Sequence, residues 1–134
     1  MTFIQTYPII IPFICILAAE FTKSLVDLFN KRHKLRFVNP GGMPSGHSAF
    51  VTSLVVVVAN RHGLSSTEFM ISAVIALIVM YDAINLRGEA GKHAVAINKY
   101  HADARLEESL GHNHWEVIAG ATFGALLSAL LLIV

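Results

Sequence analysis

Four long stretches of this chain carry no formally charged residue: Phe3 to Ala19 (17 residues), Pro44 to Asn60 (17), Phe69 to Tyr81 (13) and Val117 to Val134 (18). A transmembrane helix needs about 20 predominantly apolar residues, with about 17 as the lower end of the range. The first, second and fourth stretches qualify. The third does so when it is extended through Asp82 to Leu86, and for it alone a buried core helix of a soluble protein is the competing reading. With 54% hydrophobic and 14% charged residues, the chain is too apolar for an ordinary soluble domain of 134 residues. The fold class expected is all-α: an integral membrane helical bundle of about four transmembrane helices, forming one domain over residues 1–134 without internal repeats.

The first stretch has no positively charged leader and no Ala-x-Ala site, and it contains Pro8 and Pro12. It therefore reads as a retained helix rather than a cleaved signal. The single cysteine, Cys15, has no partner in the chain for a disulfide. A formal net charge of +1 offers no basic face for nucleic acid. The cations are placed unevenly. Lys23, Lys31, Arg32, Lys34 and Arg36 fall between the first two spans, Arg87, Lys92, Lys99 and Arg105 between the last two, and Arg61 alone in the short opposite turn. The positive-inside rule then puts both large loops in the cytoplasm of an inner or plasma membrane and both termini outside. In the short turn Gly63 ends one helix, and Ser65, Ser66 or Thr67 caps the next, with Glu68 in its first turn. The alanines and aliphatic residues between Arg87 and Glu116 suggest one or two amphipathic helices at the membrane surface.

The segment Gly42-Met43-Pro44-Ser45-Gly46-His47-Ser48 sets a turn, small residues and a histidine at the mouth of an apolar helix. Unpaired N–H groups and the helix dipole make such a start suited to an anion, and Gly46 lets a ligand approach the backbone. The competing reading is that Ser45 only caps the helix and His47 is interfacial. Four residues separate His112 from Glu116, so on a helix they share a face. The carboxylate can then take a proton from one imidazole nitrogen and leave the other aimed at a substrate. An interfacial polar cluster anchored by Trp115 is the alternative. Asp82, an acid at membrane depth, can pair with Arg87 or Lys23, bind a cation or orient a neighbour, or form a purely structural ion pair. Lys23 can pair with Glu20 on its own helix or reach a phosphate. The four-span topology places Lys23, the 44–47 turn, Asp82, Arg87 and His112 at one membrane face.

Pro44-Ser45-Gly46-His47, with His112, Glu116, Val117, Ala119 and Gly120, resembles the type 2 phosphatidic acid phosphatase superfamily. More closely, Gly41 to Ala49, Val79 to Ala83, Arg87, Gly91 and Leu110-Gly111-His112 resemble its divergent branch of small membrane proteins. The resemblance covers about Lys23 to Gly120. It implies that His112 is a nucleophile forming a phosphohistidine, that Glu116 stands where an aspartate orients it, and that His47 protonates the departing alcohol. It implies further that Ser45 and the Gly46 amide hold phosphate oxygens, while Lys23 and Arg87 stabilise the transition-state charge. Asp82 is a supporting residue. The mechanism uses no metal and no cofactor.

Two departures stand out. Asn30 occupies the position seven residues after Lys23 where the main branch has Arg-Pro, leaving Arg32 or Arg36 to substitute. Arg87 precedes His112 by 25 residues rather than six, so the chain from Gly88 to Gly111 must fold to bring them together. Main-branch enzymes also tend to have six spans against four here, so a homodimer is expected. His112-Asn113-His114 has a nuclease-like spelling that means nothing at a membrane helix start without a basic groove. Histidines two apart do not share a helix face, which argues against zinc. The function expected is hydrolysis of a lipid phosphomonoester or pyrophosphate. The alternatives are a non-catalytic protein that binds or moves an anionic lipid or phosphate, and a structural subunit whose polar residues only join helices.

Overall fold

The structure is a computed structural model that describes residues 6–29, 42–101 and 103–133. Among the described residues the secondary structure is helical: α1 (Ile10–Phe29), α2 (Gly46–His62), α3 (Thr67–Tyr100) and α4 (His114–Ile133). Pro12 falls in the first turn of α1, where its missing N–H has no intrahelical partner to lose. The helix then runs on through Glu20, Lys23 and Asp27, so Lys23 is a helical residue and not the start of a polar loop. The Thr22 and Ser24 hydroxyls donate back to the carbonyls of Ala18 (2.8 Å) and Glu20 (3.0 Å), which keeps these polar side chains satisfied within the helix. Asn30, Arg32 and Arg36, on which the missing motif arginine turns, lie outside the described residues.

Gly63 closes α2 with φ +81°, and Ser66 caps α3 by accepting the Phe69 N–H at 3.1 Å. Beyond Tyr81 the structure differs from the expectation of separate surface helices. No proline interrupts the sequence there, and α3 continues unbroken for 34 residues to Tyr100. At about 1.5 Å per residue its length is roughly 50 Å, well beyond the roughly 30 Å of a bilayer's hydrocarbon core. Its last turns therefore form an arm beyond the length that one bilayer core can cover. Residues 103–113 return along this arm without forming a helix.

Asn98 fixes the return. Its amide donates to the Leu106 carbonyl and the Glu108 carboxylate, both at 2.8 Å, and its side-chain oxygen accepts from Leu106 N–H at 2.9 Å. Gly91 then lets the chain come close. A Cβ there would lie 2.9 Å from the Glu108 carbonyl oxygen and 3.1 Å from that of Leu110. Asn98→Ala is expected to release the 103–111 segment, with faster protease cleavage confined to it and little change in the thermal midpoint. Those hydrogen bonds are exposed, so local opening should be favoured by only roughly 1–2 kcal/mol.

Helix α2 is the hub of the bundle. It packs against α1, α3 and α4, whereas α3 barely touches α4. The α2–α4 contact is lined by small residues on both sides. Ser45, Ala49 and Ser53 of α2 are buried, as are Gly120, Gly124 and Ser128 of α4, and the latter three recur every four residues. Large apolar side chains point the other way: Leu17 is 70% exposed, Phe21 63%, Leu77 65% and Leu126 68%. Small residues inside and bulky ones outside is the packing expected where lipid, rather than water, covers the surface. Two of the helices, α3 and α4, are long and apolar enough to cross a membrane.

Candidate active site

The turn before α2 is shaped by its backbone. Gly42 takes φ +94°, the Met43-Pro44 peptide is cis, and Ser45 is extended as the N-cap. A side chain on Gly42 would meet the stem of Lys23, with Cδ 2.9 Å from the added carbon. The Ser45 hydroxyl accepts from the Ser48 N–H at 3.4 Å and lies 3.0 Å from the Ser48 hydroxyl. It is fully buried, so in this arrangement its hydroxyl belongs to the cap. The Ser45 N–H donates to the Glu116 carbonyl at 3.0 Å and ties the turn to the start of α4. Gly120 allows that junction, because a Cβ on it would collide with the Ser45 carbonyl oxygen and lie 2.9 Å from its nitrogen.

His112 arrives on the returning segment. Its N–H donates to the Ala83 carbonyl at 2.9 Å, and Gly111, with φ +94°, lies against Gly88 and Arg87 so closely that an added Cβ would be 2.7 Å from Gly88 nitrogen. The fold of residues 88–111 thus carries Arg87 and His112 to the same place despite their separation in sequence. His112 Nδ1 and Glu116 Oε2 are 2.9 Å apart. The same oxygen accepts the Asn113 N–H at 3.1 Å, while the Asn113 side chain accepts the Glu116 N–H at 2.9 Å. That reciprocal pair is a capping box, so the carboxylate that grips the imidazole is itself fixed by the helix start. With Nδ1 engaged, Nε2 is the nitrogen left for chemistry.

Two cations and a second histidine complete the group. Arg87 donates from Nη2 to His47 Nε2 over 3.3 Å. Lys23 is buried, and its ammonium is paired with both oxygens of Glu20 at 2.9 and 2.8 Å. The Arg87–His47 contact and the Lys23–Glu20 pair, whose carboxylate lies against Gly46, gather these groups at the start of α2. Asp82 stands apart: it is half-buried, precedes the Ala83 that holds His112, and its carboxylate makes no hydrogen bond to a described residue. Among the described residues no three His, Cys, Asp or Glu side chains are grouped to hold a metal ion.

Three contributors are not marked as site residues by the sequence. Glu20 reads there only as a helical partner for Lys23, yet its carboxylate also lies against Gly46. Asn113, three residues before Glu116, has the spelling of a capping box. Gly124, against whose position the Ala49 backbone packs, sits in an apolar run, and its spacing from Gly120 is the small-xxx-small pattern.

A helical bundle with small residues between its helices, an apolar exterior and histidines, an arginine and a lysine gathered at one end defines a membrane protein with a polar site at the bundle's rim. The sequence matches the family model described as the divergent PAP2 family over residues 4–127, and the chain belongs to that family. It is also similar to the uncharacterized membrane protein YuiD of Bacillus subtilis (strain 168), with 34% identity over 154 aligned positions covering 98% of this chain and 97% of YuiD. No solved structure matches it.

Proposed function

We propose that this protein is a membrane phosphatase that hydrolyses a lipid phosphomonoester or pyrophosphate through a phosphohistidine at His112. The observation that carries this reading is the His112–Glu116 contact at 2.9 Å, set beside Arg87, His47 and Lys23. In the first step the Nε2 lone pair attacks phosphorus and the bond to the leaving oxygen breaks. His47, once protonated, gives its proton to that oxygen. Arg87 leaves His47 for the equatorial phosphate oxygens, which Lys23 and the N–H groups of the Gly46 helix start also neutralise. In the second step water attacks the phosphohistidine, His47 takes the water's proton, and orthophosphate departs with His112 restored. Glu116 keeps the imidazole oriented and stabilises the positive charge that develops on it.

The reading extends to topology. The four helices all cross the bilayer, Lys23, the 44–47 turn, Arg87 and His112 face the cytoplasm of an inner or plasma membrane, and the start of α1 and the end of α4 lie at the opposite face. A second copy supplies the helices that six-span relatives carry in one chain. Single cysteines introduced in a Cys15→Ser background test the orientation. Leu64→Cys, in the exposed α2–α3 turn, is expected to react with an impermeant maleimide in intact cells. Leu106→Cys, on the exposed return segment, should react only after permeabilisation. The opposite pattern would invert the topology.

Activity is tested by phosphate release from purified protein across phosphatidate, phosphatidylglycerophosphate and polyprenyl phosphates and pyrophosphates. Turnover of at least one, inhibited by vanadate as a mimic of five-coordinate phosphorus, is expected. Phosphate binding without turnover of any of them would instead make the protein a carrier or receptor for anionic lipid.

A further inference from the structure

Glu20 has no part in the mechanism above, yet its carboxylate lies against both Lys23 and Gly46. Its two carboxylate oxygens lie 2.9 and 2.8 Å from the Lys23 ammonium. It also lies against Gly46 at the first turn of α2, where a Cβ would collide with Oε1. Its charge acts on His47 together with those of Arg87, His112 and Lys23. Of the pair, the carboxylate is the more open to solvent: the Lys23 side chain is 5% exposed and that of Glu20 is 26%. A helix start and a buried ammonium are what a phosphate group would seek, and here a carboxylate of the chain pairs with the ammonium and lies against the first residue of the helix.

We propose that Glu20 is an internal anion that fills the phosphate cradle of the resting protein and is displaced by the phosphate group of an incoming ligand. The inference rests on the reading of this site as one that receives phosphate. The displacement cost applies equally to free phosphate and to phosphate on a lipid. Only the lipid brings a second source of affinity, the burial of its chain in the membrane, to offset it. Inorganic phosphate, the product of hydrolysis, has no such anchor and is expelled as Glu20 returns to Lys23. Glu20 thus sets which phosphates can occupy the site at a given concentration.

The test compares anion binding by the wild-type protein and by Glu20→Gln, purified in detergent. Glutamine keeps the shape and can still accept from Lys23, but it has no charge to compete with the ligand. Titration with inorganic phosphate is expected to give about tenfold tighter binding to the variant, the effect of removing one ion pair of this exposure. Phosphatidate in mixed micelles should show a gain of similar size. Unchanged or weaker binding would overturn the proposal and make Glu20 a residue that holds Lys23 ready for the ligand. Should Glu20→Gln unfold, as thermal melting would reveal, Glu20→Asp serves instead. It keeps the charge but draws the carboxylate back from Gly46, and it should give a smaller gain of the same sign. If neither wild type nor variant binds inorganic phosphate or phosphatidate, and neither turns over any lipid phosphate, both this proposal and the phosphatase reading fall. Wild-type turnover of a lipid phosphate without any gain in the variants overturns this proposal alone.

Discussion

Gly120→Ala is expected to cost about 1–3 kcal/mol of bundle stability and to reduce any activity by about 10²-fold or more. The added carbon has nowhere to go, because the Ser45 carbonyl and nitrogen stand against that face of α4. Helix α4 must move away from α2 to admit it. That movement would stretch the bond from Ser45 N–H to the Glu116 carbonyl and with it the registry between the Gly46-His47 helix start and His112. Thermal unfolding in detergent and phosphate release together check the result. Gly88→Ala is the matched control: an added Cβ there meets nothing within 4 Å. An alanine in the interior of α3 should be neutral or stabilising by up to about 1 kcal/mol. Equal behaviour of the two variants would refute a helix contact fixed by Gly120.

The second large effect lies in the imidazole and its carboxylate. His112→Ala is expected to remove turnover to the detection limit, since no other described side chain is placed to take its role, while the fold survives. Glu116→Gln should lower kcat by about 10²–10⁴-fold with little change in stability. The glutamine oxygen can still accept the Asn113 N–H and preserve the capping box, but the charge that steadies the imidazolium is gone. Stability and activity are thereby separated at a single residue. A Glu116→Gln variant with unaltered kcat would reduce the carboxylate to a helix cap.

Much of this arrangement is legible in the sequence where the cause is local. Gly63 and Ser66 mark the α2–α3 turn because a helix end needs positive φ and a helix start needs a hydroxyl acceptor. His112 and Glu116 announce their contact by a spacing of four. The limits of α1 and α3 are less legible, because charge was read as a boundary. Glu20 and Lys23 neutralise each other inside α1, and Arg87 faces His47 from within α3, so neither cation ends its helix. The fold of residues 88–111 depends on Asn98 reaching Leu106 and Glu108 across a reversal of the chain, a contact that follows no helical or strand period. Similarly, nothing in the order of residues says that the Glu20 carboxylate lies on Gly46. That proximity exists only once α1 and α2 are packed together.

The proposed phosphohistidine at His112 is open to direct observation. Purified protein is mixed with phosphatidate carrying a labelled phosphate, denatured in alkali during turnover to preserve the nitrogen–phosphorus bond, digested and mapped. The label is expected on the peptide that contains His112, in wild-type protein and not in His112→Ala. Undiminished phosphate release by His112→Ala, or label on a different residue, would contradict the account.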